Sequence, residues 1–163
     1  MKKLILILAL AMPMLVSAQK YAHINTQDLF AQMPELKDVQ DRLDSLNKQY
    51  ETLLMTMRDE FQKKYQEYQQ KQNTMTDAIR QIQEEELASM NQRLQTTYET
   101  AQQDVQKKQQ EWIAPIHERM AKAIQSVGAA KGFTYVFDSA MLLHIGNDAT
   151  DIMADVKKEL GIK

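Results

Sequence analysis

The chain has no cysteine among its 163 residues. Disulfides, a thiol nucleophile and thiolate metal ligation are therefore excluded, and stability must come from packing. Glycine and proline are scarce, at four and three residues, and from Glu35 to Ala114 the chain runs 80 residues without either. Gly128, Gly132, Gly146 and Gly161 stand singly, so no phosphate-cradling loop can be assembled and nucleotide use has no support. The three histidines, His23, His117 and His144, are scattered, and His117-Glu118-Arg119-Met120 lacks the second histidine of a zinc-binding helix. Ser45, Ser89, Ser126 and Ser139 have no nucleophile-elbow context, and Glu84, Glu85 and Glu86 read as a solvated helix face. These gaps argue against an enzyme and imply no cofactor and no metal. Basic blocks are missing too. With a formal charge of −2, the chain lacks the stripe expected of a nucleic-acid binder or a coat for anionic membranes.

Long hydrophobic runs are confined to the start. Lys2 and Lys3 precede the apolar Leu4 to Leu10, and the segment closes on Val16-Ser17-Ala18. This pattern reads as a secretory leader, residues 1–18, cleaved between Ala18 and Gln19. Pro13 interrupts a run already shorter than the ~20 apolar residues that span a bilayer. Cleavage removes two lysines and leaves a mildly acidic mature chain.

What is present is a long amphipathic rod. Leu36, Val39, Leu43, Leu46, Tyr50, Leu53 and Met57 alternate steps of three and four, the a/d seam of a coiled coil. The seam continues through Phe61, Tyr65 and Tyr68, and the two steps of four from Met57 to Tyr65 form a stutter that locally unwinds the supercoil. It resumes at Met75, Ile79, Ile82, Leu87, Met90, Leu94, Tyr98, Ala101 and Val105. Between the two stretches, Gln72-Asn73-Thr74-Met75-Thr76-Asp77 collects residues that favour caps and turns, with Thr74 placed to cap a second helix. The rod therefore reads as an antiparallel hairpin turning near 74, with paired positions summing to about 149 and Pro34 facing Pro115. A single helix over 35–131, paired in parallel between chains, is the structural alternative.

The flanks carry the strands. Tyr21 to Asn25 suits a strand, Thr26 can cap a brief helix through Leu29 and Phe30, and Pro34 ends it. After Gly132, Phe133 to Asp138 is rich in aromatic and β-branched residues, and a second strand is expected over Met141 to Ile145. Gly146-Asn147-Asp148 makes a turn, and Asp148 can cap a closing helix with Ile152, Met153, Val156 and Leu160 on one face. The expected class is α+β: a small strand body, 19–34 with 116–163, carrying a helical arm, 35–115. A body of this size falls below the ~70 to 80 residues at which one core suffices, so an oligomer sharing its strands is expected.

Methionine suits surfaces that accept varied apolar partners. Met57, Met75 and Met90 fit the seam, whereas Leu54 and Met55 lie off it and should face outward as a partner-contacting or inter-arm patch.

Leader, strand, long hairpin and short α/β tail together resemble the Skp/OmpH family of periplasmic chaperones. The resemblance covers the mature chain, and its more specific part is Tyr135-Val136-Phe137-Asp138-Ser139-Ala140 followed by Asp148-Ala149-Thr150-Asp151-Ile152-Met153-Ala154-Asp155-Val156. It implies a periplasmic homotrimer with a shared β-barrel body and three arms enclosing unfolded outer-membrane proteins, working without ATP. On that reading Leu54, Met55, Phe61, Tyr65, Tyr68, Met75, Ile79, Ile82 and Met90 are the client-binding candidates. Ile24, Phe133, Tyr135, Phe137, Leu142 and Ile145 are the oligomerisation candidates. The family's best-known member has basic arm tips, but Lys71, Arg80 and Arg93 form no cluster here, so no lipopolysaccharide site is carried over. Client capture would lean on apolar contacts and on the sixteen glutamines between Glu35 and Ala114. An envelope scaffold that binds one folded partner at the hairpin tip is the competing function.

Overall fold

The computed structural model describes residues 20–162, so the leader and its cleavage site at Ala18 and Gln19 lie outside the described residues. The element order is β1 (Tyr21–Ile24), α1 (Thr26–Ala31), α2 (Glu35–Lys71), a 3-10 turn (Gln72–Thr74), α3 (Asp77–Ala130), β2 (Tyr135–Asp138), a second 3-10 turn (Ser139–Met141), β3 (Thr150–Asp151) and α4 (Met153–Leu160). Two compact units emerge, one of 20–29 with 121–162 and the other of Phe30–Met120.

In the first unit, β1 is the middle strand of a parallel sheet ordered β2-β1-β3. Side chains alternate across a strand. Ala22 and Ile24 therefore point one way into the core, while Tyr21 stands on the other face beside its register partner Tyr135. The core joins those two residues to Leu29, Ala123, Val127, Ile152, Val156 and Leu160. Burying each large aliphatic contributes roughly 1.5–3 kcal/mol. Gly128 lets α3 approach the sheet, because a Cβ there would meet Val136 Cγ2 at 3.3 Å. Gly132, at φ 69°, turns the chain out of α3 while the Phe133 amide donates back to the Gly128 carbonyl at 3.0 Å. Asp138 fastens the two ends of the chain. It accepts from the Thr26 hydroxyl and from the Ala140 amide, and Lys131 and Ser126 of α3 reach Asp155 and Glu159 of α4 at 2.6 and 2.9 Å.

Several local expectations shift. Asn25, not Thr26, caps α1, its Oδ1 accepting from the Gln27 and Asp28 amides at 3.1 Å. Met141 to Ile145 forms no strand: Met141 ends a 3-10 turn, the Leu142 amide donates back to the Ser139 carbonyl at 3.2 Å, and no strand among the described residues pairs with the segment; the third strand is Thr150–Asp151, which pairs with Ala22 and His23. Asp151 rather than Asp148 accepts from the first amide of α4, that of Met153, at 2.8 Å.

In the second unit α2 and α3 lie antiparallel within one chain, so the single parallel rod is excluded. Arg119 pairs with Glu35, Arg42 lies 5.9 Å over the Trp112 ring, Tyr50 donates to Asp104 at 2.9 Å, and Lys64 meets Glu86 at 2.9 Å. Partners therefore sum to between about 150 and 154, a few residues past the expected 149. The cause is the turn. Thr74 bonds back to the Lys71 carbonyl at 2.9 Å, Met75 is extended, and Thr76, not Thr74, accepts from the Ile79 amide. Pro34 consequently caps the start of α2 rather than facing Pro115, which sits inside α3 alongside Val39 and Glu35. At ~1.5 Å per residue, α2 is ~55 Å long.

Candidate functional site

The packing of the hairpin decides which of its apolar side chains remain available. Up to Tyr50 the seam runs as the sequence suggests. Beyond it the partly covered positions of α2 are Leu54, Met57, Phe61, Lys64 and Tyr68, so Leu53 and Tyr65 turn outward and Leu54 turns inward. The stutter therefore lies at Leu46-Tyr50-Leu54, not at Met57-Phe61-Tyr65. On α3 the covered positions include Arg80, Gln83, Leu87, Met90, Leu94 and Thr97, which expels Ile79, Ile82 and Tyr98. Polar pairs explain the displacement. Lys64 is taken up by Glu86 and Tyr68 donates to Glu84, so these amphipathic side chains occupy the seam by bonding across it with their stems packed beneath.

Burial follows. Val39, Leu43, Ile116 and Met120 are buried at one end of the hairpin together with Met33, but from Leu46 to the turn no α2 side chain is buried, and of α3 up to Ala114 only Ala101 is. Leu53, Met55, Tyr65, Ile79, Ile82 and Tyr98 are exposed, Met55 by 59% and Ile82 by 63%. Among the client-binding candidates, Met55, Tyr65, Ile79 and Ile82 stand outward, whereas Leu54, Phe61, Tyr68 and Met90 are half-buried along the seam and Met75 is half-buried in the turn. Met55 was expected outside and Leu54 was not expected inside. Leu53 and Tyr98 also face outward: a step of three and a step of four from Tyr50 both land on leucine, so periodicity does not choose between Leu53 and Leu54, and Thr97 takes the covered position beside Tyr98.

The hydrogen bonds across the hairpin are proton-sensitive in a definite sense. The carboxylates of Asp104 and Glu84 hold the Tyr50 and Tyr68 hydroxyls above the ordinary tyrosine range by accepting from them, and Glu86 raises the Lys64 ammonium in the same way. Lys108 lowers Glu111 by donating to it.

A second candidate surface lies on the sheet. Tyr21, Tyr135 and Phe137 form one aromatic cluster, with centroids 6.0–6.1 Å apart, on the face turned away from the core. Next in the chain, Met141, Leu142, Leu143 and Ile145 are all exposed, Leu143 completely. Of the oligomerisation candidates, Tyr135, Phe137, Leu142 and Ile145 are thus exposed and Phe133 is half-covered. Ile24 is a correction: it is only 1% exposed on the opposite face, part of the chain's own core, and offers nothing to a neighbour. Among the described residues no group of His, Asp and Glu is arranged to hold a metal ion, and no helix is long and apolar enough to cross a membrane.

The family model for outer membrane protein (OmpH-like) matches residues 20–160, from the residue before β1 to the last residue of α4. The chain belongs to the OmpH-like family. Its relatives include the chaperone protein Skp of Yersinia enterocolitica, 30% identical over 153 residues, with 94% of this chain and 93% of that protein covered. The chaperone protein Skp of Pectobacterium atrosepticum is 27% identical over 144 residues, covering 88% and 87%. An OmpH-like crystal structure from Caulobacter crescentus superposes with a TM-score of 0.75 at 18% identity, over 87% of this chain and 83% of that one. The OmpH-like fold of long helices with a small strand body is therefore shared, and at that identity the structural likeness speaks for the fold alone.

Proposed function

We propose that this OmpH-like chain is a periplasmic holdase that keeps unfolded outer-membrane proteins from aggregating without consuming ATP. The observation that carries the reading is the outward display of Leu53, Met55, Tyr65, Ile79, Ile82 and Tyr98 on an otherwise polar hairpin. Scattered single apolar side chains bind no folded surface tightly. Together they hold an unfolded chain by many weak contacts, each easily lost, which suits release without nucleotide. Precursors of transmembrane barrels fit this surface, because their strands alternate apolar and polar residues and aggregate before the barrel closes. The names of the two bacterial relatives, both chaperone protein Skp, support the same reading.

The division of labour completes it. An arm over 35–115 contacts clients, while a body of 19–34 and 116–163 assembles three copies through the face of Tyr21, Tyr135 and Phe137 and the apolar 141–145 segment. Three arms then surround one client. The leader delivers the chain to the periplasm and is cut after Ala18.

The test is light scattering from a urea-diluted outer-membrane barrel, with and without ATP. Suppression of aggregation at chaperone trimer stoichiometry, equal in both conditions, is expected. A strict ATP requirement, or binding of a folded partner with no protection of unfolded barrels, would replace the holdase with another function, the second result favouring a scaffold.

A further inference from the structure

Midway along the hairpin, residues of α2 and α3 frame a groove of about 860 Å³. Its origin is legible in the residues. The stutter at Leu46-Tyr50-Leu54 locally unwinds the pairing, and across from it stands Ala101, whose methyl fills none of the space a larger seam residue would take. Tyr50 is drawn over to Asp104 by its hydroxyl, 2.9 Å away, so its ring becomes a wall rather than a plug.

We propose that this groove is a peptide subsite for a short extended segment of an unfolded chain, about five residues long, with apolar side chains at alternate positions. The inference rests on the holdase reading and deepens it by giving the arm a discrete site. Three features select the occupant. Leu54, Ala101 and Val105, all at least half-buried, give the groove an apolar floor, and the exposed Met55 adds an apolar side chain to its lining. Its edges carry Asn47, Gln102, Gln103 and Gln106, and a carboxamide both donates and accepts, which matches the exposed N–H and C=O groups of an extended backbone. Gln102 already orients itself, its Nε2 donating to the Tyr98 hydroxyl at 2.8 Å and leaving its carbonyl oxygen to accept. The charges cancel: Glu51 and Arg58 are the ionised residues of the lining, so a neutral backbone suits it better than an anionic headgroup or a basic peptide.

Length fixes the size of the segment. Asn47 to Arg58 spans ~16 Å of helix, and an extended chain covers that in five residues. Alternation follows from the apolar floor and open polar rim, since successive side chains of an extended segment point in opposite directions. Side chains one, three and five enter the groove while two and four face water, the pattern of a transmembrane barrel strand.

The decisive variant is Ala101→Leu, which builds a larger apolar side chain into the groove from its buried wall and leaves the other lining side chains in place. A fluorescein-labelled peptide alternating leucine and serine is titrated by anisotropy against the whole mature protein. Wild type is expected to bind it at least tenfold more tightly than a peptide of the same composition with its leucines contiguous. Ala101→Leu is expected to weaken binding of the alternating peptide at least tenfold, with far-ultraviolet circular dichroism unchanged. Met55→Ser, which removes an apolar side chain from the lining without overpacking, weakens it three- to fivefold, and Asn91→Ala, exposed on α3 outside the groove, leaves it unchanged. Equal affinity of wild type and both groove variants overturns the subsite. So does a groove that instead mediates self-association, seen as concentration-dependent sedimentation abolished by Ala101→Leu with no peptide binding in wild type. Barrel-aggregation assays run in parallel keep the two ideas apart. Protection of barrels by wild type with groove-independent peptide binding defeats the subsite alone, whereas loss of both in wild type defeats the holdase reading with it.

Discussion

The sheet-bearing unit and the outer hairpin treat apolar side chains in opposite ways. In the first, Ile24, Leu29, Ile152 and Val156 are sealed from water, and the sheet reserves its other face for exposed aromatic rings. In the second, from Leu46 to Ala114, the described side chains bury nothing larger than Ala101, and the helices are tied by Tyr50–Asp104, Lys64–Glu86 and Tyr68–Glu84. Interactions at such exposed positions contribute little each. One part specifies a structure and the other keeps apolar surface available. Local opening of the hairpin costs far less than loss of the core.

The strongest way to break the contrast is inside the core. Ile152→Ala should destabilise the unit by about 2–5 kcal/mol, read from urea denaturation, because the closely packed site cannot collapse around the cavity. Leu54→Ala, at a half-buried seam position, should cost less than about 1.5 kcal/mol and show mainly as faster amide exchange in the neighbouring turns of α2. Comparable losses in both variants would erase the distinction.

Next in size is the aromatic face. Phe137→Asp places a charge on an exposed, stacked cluster rather than in the core, so helical content should survive while sedimentation shifts to smaller species. Loss of fold without prior dissociation would mean that the face serves the protomer and not the assembly.

Proton dependence separates the same two regions more gently. Asp138 is held below the usual aspartate range by the Thr26 hydroxyl, with the Ala140 and Thr26 amides adding to it. Its contribution is present above the unfolded aspartate value of about 3.9 and is lost as pH falls through the lower folded value. Asp138→Asn should therefore flatten the acid limb of stability below about pH 4. Tyr50 and Tyr68 are raised, so their contribution is full below about pH 10 and fades as pH climbs through the higher folded values. The hairpin should loosen at alkaline pH before the sheet does, measured by hydrogen exchange or by a spin-label pair across Tyr68 and Glu84.

How far the sequence foretold this is uneven, for physical reasons. The hairpin was legible because 80 residues without glycine or proline read as helix and the cluster of cap formers near 74 favours two helices over one. The closing helix was legible from Ile152, Val156 and Leu160 on one face, all buried. The seam past Tyr50 was not, because adjacent apolar residues make steps of three and four equally good, and because Lys64, Arg80 and Thr97 occupy seam positions that apolar periodicity cannot detect. Met141 to Ile145 has strand-forming residues yet no strand, since pairing depends on a backbone partner that composition does not reveal. Thr150–Asp151, polar and two residues long, pairs with Ala22 and His23 next to the fully buried Ile152, whose amide donates to the His23 carbonyl at 3.1 Å. As for the site, Met55 was foreseen outside the seam, while Tyr65, Ile79 and Ile82 were named as contacts but were assigned to the seam they in fact leave.

The most direct measurement of the central claim replaces the outward set together, Leu53, Met55, Tyr65, Ile79, Ile82 and Tyr98 each by serine, and records scattering from a urea-diluted barrel without ATP. None of these side chains is buried, so the hairpin should remain helical and the assembly intact. Each single replacement should keep most of the protection, and the sixfold variant should lose it. Protection by the sixfold variant equal to wild type, at the same helicity and assembly state, would contradict the account.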